Sequence, residues 1–394
     1  MAMENLTFIK RFLASHPGSA YLSLDYENKN PLLASFTSGL MLTRKVAFLF
    51  KADRPLVIAQ TLDCPFLKRG EVGKFFDVVE YRDWQEYLAL LKKHLEDSRI
   101  VYMDVSENGL LPRVSLADYG SVAYVMSLGK EIRSSADLLN EMIGTLTEEG
   151  EASQKAAAGL LLSIKDETFA YMGQALKEGR GLDEYEVQSF IARRFEEEGM
   201  TYDDPPIVAV NANASNPHYQ PTEQEHAPIK EGNLILIDMW AKKKEPGSVY
   251  GDITWMAYAG SRVPSEMEQP FSTLVRSIDA ALAFLERELP RREVAGYEVD
   301  RLVRNIIEED GYLPYFTHRT GHSIKDDEGP HGPGVNIDDY ESHDERKIVD
   351  GNSFSLEPGI YLPSFGMRSE TDVLVKGRKP IVVAGRQRKI VTLL

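Results

Sequence analysis

The sequence predicts an α+β fold of two domains: a smaller N-terminal α/β domain and a larger, internally duplicated C-terminal domain. Strand-like and helix-like segments alternate up to about residue 130. A helical pattern then occurs twice at a constant offset, and two apolar strands further on each end in a carboxylate. We therefore expect two similar C-terminal halves, related by a pseudo-twofold axis and packed around one core.

The N-terminal domain is predicted to occupy residues 1–132. Apolar, strand-forming runs lie at 20–24, 46–50, 56–59, 100–103 and 122–126, and a turn signal separates the second run from the third. Residues 84–91 have the apolar spacing of an amphipathic helix. This part contains no phosphate-loop or dinucleotide fingerprint, so we expect the chemistry to lie in the other domain.

Residues 133–151 are predicted to form a helical linker, with Ser135 as the N-cap of its first helix. The C-terminal domain would then occupy 152–394, beginning with a helix that ends near Lys177. Inside this domain the run Tyr-Glu-Val at 185–187 recurs at 297–299, an offset of 112 residues, and both copies continue to an acidic stretch that ends in glycine. The shared offset favours duplication over two unrelated helices.

Charge and cysteine content exclude several classes of protein. The chain has 45 Lys and Arg against 61 Asp and Glu, a formal net charge of −16, which argues against nucleic-acid binding and against docking on anionic membranes. Its one cysteine, Cys64, rules out an intramolecular disulfide and a cysteine-rich zinc site. Neither a signal peptide nor a transmembrane run is evident, so we expect a cytoplasmic protein.

Four carboxylates occur at matched positions in the two halves. Asp238 ends the apolar run 234–237, and Asp252 follows after fourteen residues and a polar loop, which predicts a hairpin that brings the two acids together. Glu357 and Glu370 are spaced by thirteen residues in the same way. Two related hairpins would deliver all four acids to one place.

Four clustered carboxylates cannot all remain ionised without protons or cations nearby. Three of the eight histidines, at positions 318, 322 and 331, follow within fourteen residues and favour a metal. Two divalent ions about 3.5–4 Å apart and bridged by carboxylates are the simplest arrangement. Oxygen-rich ligands favour manganese, with cobalt and zinc as alternatives. His318 itself is expected to pack beside the site rather than to bind the metal.

Together these motifs resemble the creatinase/aminopeptidase P/prolidase family of pita-bread metallopeptidases. The resemblance covers about 152–394 and rests on segments in the family's order, namely 207–219, 232–238, 252–254, 320–322, 357–361 and 366–370. It implies a pita-bread catalytic domain. The N-terminal domain is similar to that of creatinase, prolidase and aminopeptidase P in size and character, which disfavours a methionine aminopeptidase.

The resemblance implies five metal ligands, all present here. Asp252 and Glu370 would bridge two metal ions, Asp238 would serve one of them, and His322 and Glu357 the other. It implies hydrolysis of an Xaa-Pro bond by a metal-bridging hydroxide, with Glu357 as proton shuttle. Creatinase itself and the histone-binding relatives have lost these ligands, so the intact set favours a metal-dependent hydrolase.

Further residues are implied in substrate binding. His218 and His331 match histidines that hold the substrate carbonyl and the tetrahedral intermediate, and Arg368 would orient carboxylates or meet the substrate's C-terminal carboxylate. Tyr361 would hydrogen-bond nearby. The sequence departs from the family in two places: His331 lies nine residues after His322 instead of seven, and the interval from Asp238 to Asp252 is longer than in most relatives.

Several alternatives stay open at this point. The chain could be a dipeptidase or an aminopeptidase, a metal-dependent relative that hydrolyses a different C–N bond, or a binding module on a catalytically dead fold. A homodimer is expected from the resemblance alone. From the resemblance we expect an Xaa-Pro peptide as the binding partner. From the net charge we expect no binding to nucleic acid or to membranes.

Overall fold

A computed structural model describes residues 2–37, 39–70, 72–326 and 329–394 of the chain. The chain divides into two compact units, Met1–Ile143 and Gly144–Leu394. Each unit has its own sheets and its own buried apolar clusters, as expected for separate domains. Within the described residues no helix has both the length and the apolar character needed to cross a membrane.

The first unit is built on a six-stranded mixed sheet in the order β4-β3-β2-β1-β5-β6. Its strands are β1 Ser19–Tyr26, β2 Lys45–Phe50, β3 Leu56–Gln60, β4 Asp77–Tyr81, β5 Ile100–Met103 and β6 Glu131–Ser134. Its helices are α1 Ala2–Ser15, α2 Ala34–Thr37, α3 Cys64–Arg69, α4 Val72–Phe75, α5 Trp84–His94, α6 Tyr119–Ser127 and α7 Ala136–Ile143. Alternate strand residues enter two core clusters, one on each face of the sheet.

Four of the five predicted strands of this unit are confirmed, and the fifth is wrong. Residues 122–126 lie within helix α6. The Asp118 side chain caps this helix by accepting the backbone N–H of Ser121, and Val125 is the buried residue of its apolar face. A local cap therefore outweighs the strand-like composition of the run.

The range 133–151 holds the end of β6, all of α7 and the start of the next helix, so the division into units falls inside it. Ser135 precedes α7 as expected, but its hydroxyl donates to the buried carboxylate of Asp104 at 2.8 Å instead of capping the helix. The helix predicted from Ala152 begins earlier, at Glu148, because the Thr147 side chain caps it through the N–H of Gly150.

The second unit has the duplicated α+β architecture. Its helices are α8 Glu148–Lys177, α9 Glu184–Glu197, α10 Ser265–Glu288 and α11 Gly296–Glu309. Its strands are β7 Met200–Thr201, β8 Ile207–Val210, β9 Leu234–Lys243, β10 Gly251–Tyr258, β11 Ser353–Leu356, β12 Gly359–Leu362, β13 Phe365–Arg368, β14 Thr371–Val375, β15 Pro380–Val382 and β16 Val391–Thr392. Helices α9 and α11 begin and end 112 residues apart, which matches the repeat seen in the sequence.

Three sheets carry this unit. One has the order β16-β10-β9-β7 with β8 also on β9, a second the order β11-β14-β15, and the third is the β12–β13 hairpin. Strand β9 is buried on both faces: Leu234 and Leu236 pack into one apolar cluster, and Ile235 and Ile237 into another. The continuous apolar run is thus explained by two-sided burial.

Candidate metal centre

Strands β9 and β10 bring the first two predicted ligands together. The strands are antiparallel, with Asp238 opposite Thr254 and Trp240 opposite Asp252. Because side chains alternate along a strand, the two acids lie on the same face of the hairpin, with one residue pair, Met239 and Ile253, between their positions. Both carboxylates are buried, at 8% and 4% residue exposure for Asp238 and Asp252.

The second pair of acids is positioned by two strands that are distant in sequence. Glu357 directly follows β11, Glu370 directly precedes β14, and the strands pair so that Leu356 lies opposite Thr371. A single second hairpin was expected, and that detail is wrong. Between the acids the chain forms the separate β12–β13 hairpin, which supplies Tyr361 and Arg368 to the site.

His322 meets these carboxylates from the loop after α11. Its Nε2 lies 3.5 Å from Asp252 Oδ2 and 3.4 Å from Glu357 Oε1. Its Nδ1 lies 3.1 Å from the Ser323 carbonyl oxygen, so this nitrogen donates its proton and leaves the Nε2 lone pair directed at the acids. One donor atom each from Asp252, His322 and Glu370 lie within 4.8 Å of one another.

Burial makes this cluster electrostatically costly without a cation. Burial, and then the charge of Glu370, raises the pKa of Asp252 well above its usual range. Burial, and then the charge of Glu357, does the same to the pKa of Glu370. Burial also raises the pKa of Asp238. Burial would raise the pKa of Glu357 as well, but the attraction of neighbouring cationic groups, Arg368 and Arg319 among them, outweighs burial and lowers that pKa.

The donor set fits a divalent metal ion. Buried carboxylates whose negative charges raise one another's pKa are stabilised when a cation replaces the protons. Four carboxylates and one imidazole are ligands that manganese, cobalt and zinc accept. Asp238, Asp252, His322, Glu357 and Glu370 are the residues that would hold such ions.

Arg368 is buried, and each of its three guanidinium nitrogens donates a hydrogen bond. Its Nη2 donates to Asp238, its Nε donates to Thr254 Oγ1 at 3.0 Å, and its Nη1 donates to the Tyr361 hydroxyl at 3.0 Å. The Thr254 hydroxyl in turn donates to Glu370 Oε2 at 2.8 Å. The guanidinium thus links carboxylates from both halves of the unit.

The chain of hydrogen bonds continues to His318. The Tyr361 hydroxyl lies 2.7 Å from His318 Nε2, and His318 Nδ1 lies 2.7 Å from the Arg319 carbonyl oxygen. Burial lowers the pKa of His318 to about 4 and raises that of Tyr361 to about 12. A neutral imidazole that accepts from Tyr361 and donates through Nδ1 satisfies both contacts. His318 therefore lies beside the predicted ligands and is connected to Asp238 through Tyr361 and Arg368, as expected for a residue that packs next to the site.

The two remaining predicted histidines are both exposed. The His331 ring lies with its centre 4.1 Å from that of His322, next to the ligands. Residues 327 and 328 of the lengthened stretch before it lie outside the described residues. His218 lies on the loop after β8, and its backbone N–H donates to Asn216 Oδ1. That loop reaches the β12–β13 hairpin, where a Cβ on Gly366 would lie only 1.9 Å from the Ala214 carbonyl oxygen.

Two buried carboxylates that sequence reasoning missed fix the loops of the site. Asp300 on α11 accepts the backbone N–H of Thr320, two residues before His322. Glu184 on α9 accepts the Tyr219 hydroxyl at 2.6 Å, next to His218. Both are 0% exposed. The available signals were an acidic residue inside the apolar pattern of α11, at Asp300, and an acidic first residue of α9, at Glu184.

A third missed acid, Asp372, supports a ligand directly. Its Oδ2 accepts the backbone N–H of Asp252 at 3.0 Å, and burial raises its pKa well above the usual range. It follows Glu370 by two residues on β14, so its side chain shares that residue's face of the strand. The alternation of acids at 370 and 372 was visible in the sequence.

Comparison with curated proteins places this unit in a known family. A model of metallopeptidase family M24 matches residues 161–377, more than half of the chain. The probable dipeptidase PepE of Mycobacterium tuberculosis is 26% identical over 328 residues, which are 82% of this chain and 79% of that protein. The Xaa-Pro dipeptidase of Lactobacillus helveticus is 32% identical over 168 residues, 42% of this chain and 40% of that protein.

Solved structures show the same fold. Dipeptidase PepE from Mycobacterium ulcerans matches with a TM-score of 0.67 at 21% identity and covers 100% of this chain and 98% of its own. The Xaa-Pro dipeptidase from Bacillus anthracis matches with a TM-score of 0.58 at 18% identity, with 100% of both chains covered. The predicted α+β, pita-bread architecture is therefore confirmed, and the chain belongs to metallopeptidase family M24.

Proposed function

We propose that this metallopeptidase is a dinuclear exopeptidase that hydrolyses the Xaa-Pro bond of dipeptides or short peptides. The observation that carries the proposal is the convergence of Asp252, His322 and Glu370 donor atoms within 4.8 Å in a buried site. Asp238 and Glu357 extend this group to five ligands for two ions, with manganese preferred. Relatives named Xaa-Pro dipeptidase and dipeptidase support the substrate class.

When bound, divalent ions supply Lewis-acid activation of water and of the scissile carbonyl. The protein's own groups prepare the site for that chemistry. Arg368 holds Asp238 in one orientation, and the neutral His318 holds the Tyr361 hydroxyl, so the ligands do not need to reorganise during the reaction. Glu357 is the proposed proton shuttle, whose carboxylate would accept a proton from water and return it to the leaving imino nitrogen.

Two exposed histidines are assigned to the substrate. His331 lies next to His322 and is proposed to donate to the oxygen that gains charge as the scissile carbonyl is attacked. His218 is proposed to do the same from the other repeat, on the loop that Glu184 fixes through Tyr219. A net charge of −16 is consistent with a peptide partner and with a cytoplasmic protein that binds neither nucleic acid nor membrane.

The test is a peptidase assay with added Mn²⁺ on Gly-Pro and on a tripeptide Xaa-Pro-Xaa, together with elemental analysis of the purified protein. We expect up to two ions per chain, and the preferred peptide distinguishes a dipeptidase from an aminopeptidase. His322→Ala should lose activity and metal, whereas His226→Ala, which changes an exposed loop histidine, should keep both. Inactivity on both peptides in the presence of bound metal would favour another C–N substrate.

Metal-independent partner binding by a protein that retains no metal would instead favour a binding module. A homodimer stays an expectation of the family resemblance. Sedimentation of the purified chain would measure it.

A further inference from the structure

Trp240 occupies a position beside the ligands that the proposed mechanism does not use. It follows Asp238 by two residues on β9, and it lies directly opposite Asp252 on β10. Residues that face each other across an antiparallel pair have Cβ atoms about 4.5–5.5 Å apart and point to the same side. The indole therefore extends from the face of the hairpin that carries both aspartate ligands.

The indole is fixed in place and only half buried. It packs against the large apolar cluster of the second unit and against the small cluster of Val249, Tyr250 and Ile324. Its Nε1–H donates to Asp203 Oδ1 at 2.6 Å. A ring that is both packed and hydrogen-bonded has one orientation, and the part left exposed is a rigid apolar surface.

Asp203 connects the indole to the loop that carries His331. A Cβ on Gly329 would lie 2.5 Å from Asp203 Oδ2, so the backbone there touches this carboxylate. Gly329 precedes His331 by two residues, and the His331 ring lies beside His322. Trp240, Asp203, Gly329 and His331 thus form one continuous border along the ligands Asp252 and His322.

We propose that Trp240 is a specificity-determining residue, held by Asp203, which limits the size of the substrate side chain that precedes the scissile bond. This inference rests on the proposed function, in which proline follows the bond and the residue before it is variable. A rigid aromatic wall next to a ligand leaves room for glycine or alanine and excludes large side chains, because a fixed pocket discriminates by volume. The predicted substrates are dipeptides with a small residue before proline.

The test compares kcat/KM for Gly-Pro, Ala-Pro, Leu-Pro and Phe-Pro in the Mn²⁺-loaded enzyme. Trp240→Ala should raise the ratio of Phe-Pro to Gly-Pro at least about tenfold over the wild type. Trp240→Phe keeps most of the aromatic ring and Asp203→Ala keeps the whole indole, so both should raise the ratio of Phe-Pro to Gly-Pro less. Asp203→Asn should change this ratio little, because the amide oxygen still accepts the hydrogen bond from Nε1–H. Trp84→Phe, at an exposed tryptophan of the first unit, is the matched control and should leave the ratio unchanged.

A ratio within twofold of the wild type in Trp240→Phe, Asp203→Ala and folded Trp240→Ala would overturn the proposal. So would an equal loss on all four dipeptides, which is what a purely structural tryptophan gives. Metal content and thermal unfolding of each variant separate these cases from misfolding.

If the wild type cleaves Xaa-Pro-Xaa tripeptides instead of dipeptides, the same comparison is made with tripeptides that differ in the first residue. If it cleaves neither kind of peptide, the proposed function fails and a binding measurement decides the inference. The chain has three tryptophans, so Trp84→Phe with Trp255→Phe leaves Trp240 as the only indole. If Gly-Pro changes the fluorescence of Trp240 more than Phe-Pro does, the result supports a Trp240 that limits the size of the substrate side chain. No change with either dipeptide overturns it.

Discussion

Replacing Asp300 tests whether a buried acid on a repeat helix fixes the metal-ligand loop. Its carboxylate is 0% exposed and accepts four hydrogen bonds. Two come from Thr320, through the backbone N–H at 3.0 Å and the hydroxyl at 2.5 Å. The others come from Arg304 Nε and from the backbone N–H of Asp339, both at 2.8 Å. Thr320 is two residues before His322.

The expected loss follows from these contacts. Asp300→Ala leaves the largely buried Arg304 guanidinium with its two carbonyl partners but without its carboxylate, which costs about 3–5 kcal/mol of unfolding free energy. The unpaired N–H groups act in the same direction, but such losses are not additive. We therefore expect a total of about 3–5 kcal/mol. Displacement of the His322 loop should also weaken metal binding about 10–100-fold, as when other outer partners of a ligand are removed.

Urea unfolding and a Mn²⁺ titration of the metal-free protein measure the two effects. The matched control is Asp310→Asn, near the C-terminal end of the same helix, where a partly exposed aspartate pairs with Arg276. That change should cost less than about 1 kcal/mol and leave metal affinity unaltered. If Asp300→Ala binds Mn²⁺ within twofold of the wild type, the loop does not depend on this carboxylate and the reasoning is refuted.

Three further changes have defined outcomes. Gly366→Ala places a Cβ at 1.9 Å from the Ala214 carbonyl oxygen, so thermal unfolding should show a loss of about 3 kcal/mol. Arg368→Lys keeps the positive charge, but a lysine cannot hydrogen-bond to Asp238, Thr254 and Tyr361 at once, so Asp238 loses its fixed orientation. We expect kcat to fall about 10–100-fold at saturating metal. An unchanged kcat would contradict this role of Arg368. Burial raises the pKa of Asp104, so the folded first unit binds that proton more tightly than the unfolded chain does. As the pH falls from 7 to 4, the folded wild type should therefore gain stability relative to Asp104→Asn, because it takes up this proton before the unfolded chain does. Urea unfolding at pH 4 and pH 7 measures this difference.

Much of the candidate site could be predicted because its residues lie at the ends of strongly patterned elements. The apolar run before Asp238 is typical of a buried strand, and its distance from the run before Glu357 is close to the offset between the repeat helices. The cluster of three histidines indicated a metal, and the family resemblance selected His322 among them. The roles assigned to these residues in metal binding stay predictions, while their convergence is a property of the fold.

The errors and omissions occurred where long-range contacts or local caps decide the outcome. Residues 122–126 have a strand-like composition, yet the Asp118 cap starts a helix there. The second acid pair was expected on one hairpin, yet Glu357 and Glu370 lie at the ends of β11 and β14, with another hairpin between them. Neither outcome follows from the spacing of apolar residues along the chain. That spacing indicates neither where a side chain caps a helix nor which strands pair with each other.

The sequence by itself determined the family, the duplication and the identities of the acids and histidines that converge, because these depend on residue types at fixed spacings. Only the tertiary structure decided what surrounds them. Arg368 is occupied by Asp238, Thr254 and Tyr361, which lie 130, 114 and 7 residues away. The border that Trp240 forms beside Asp252 likewise depends on strand register and on the contact with Asp203. Such contacts are created when distant segments pack, and the low-polarity interior they enclose is what shifts the pKa values of the site.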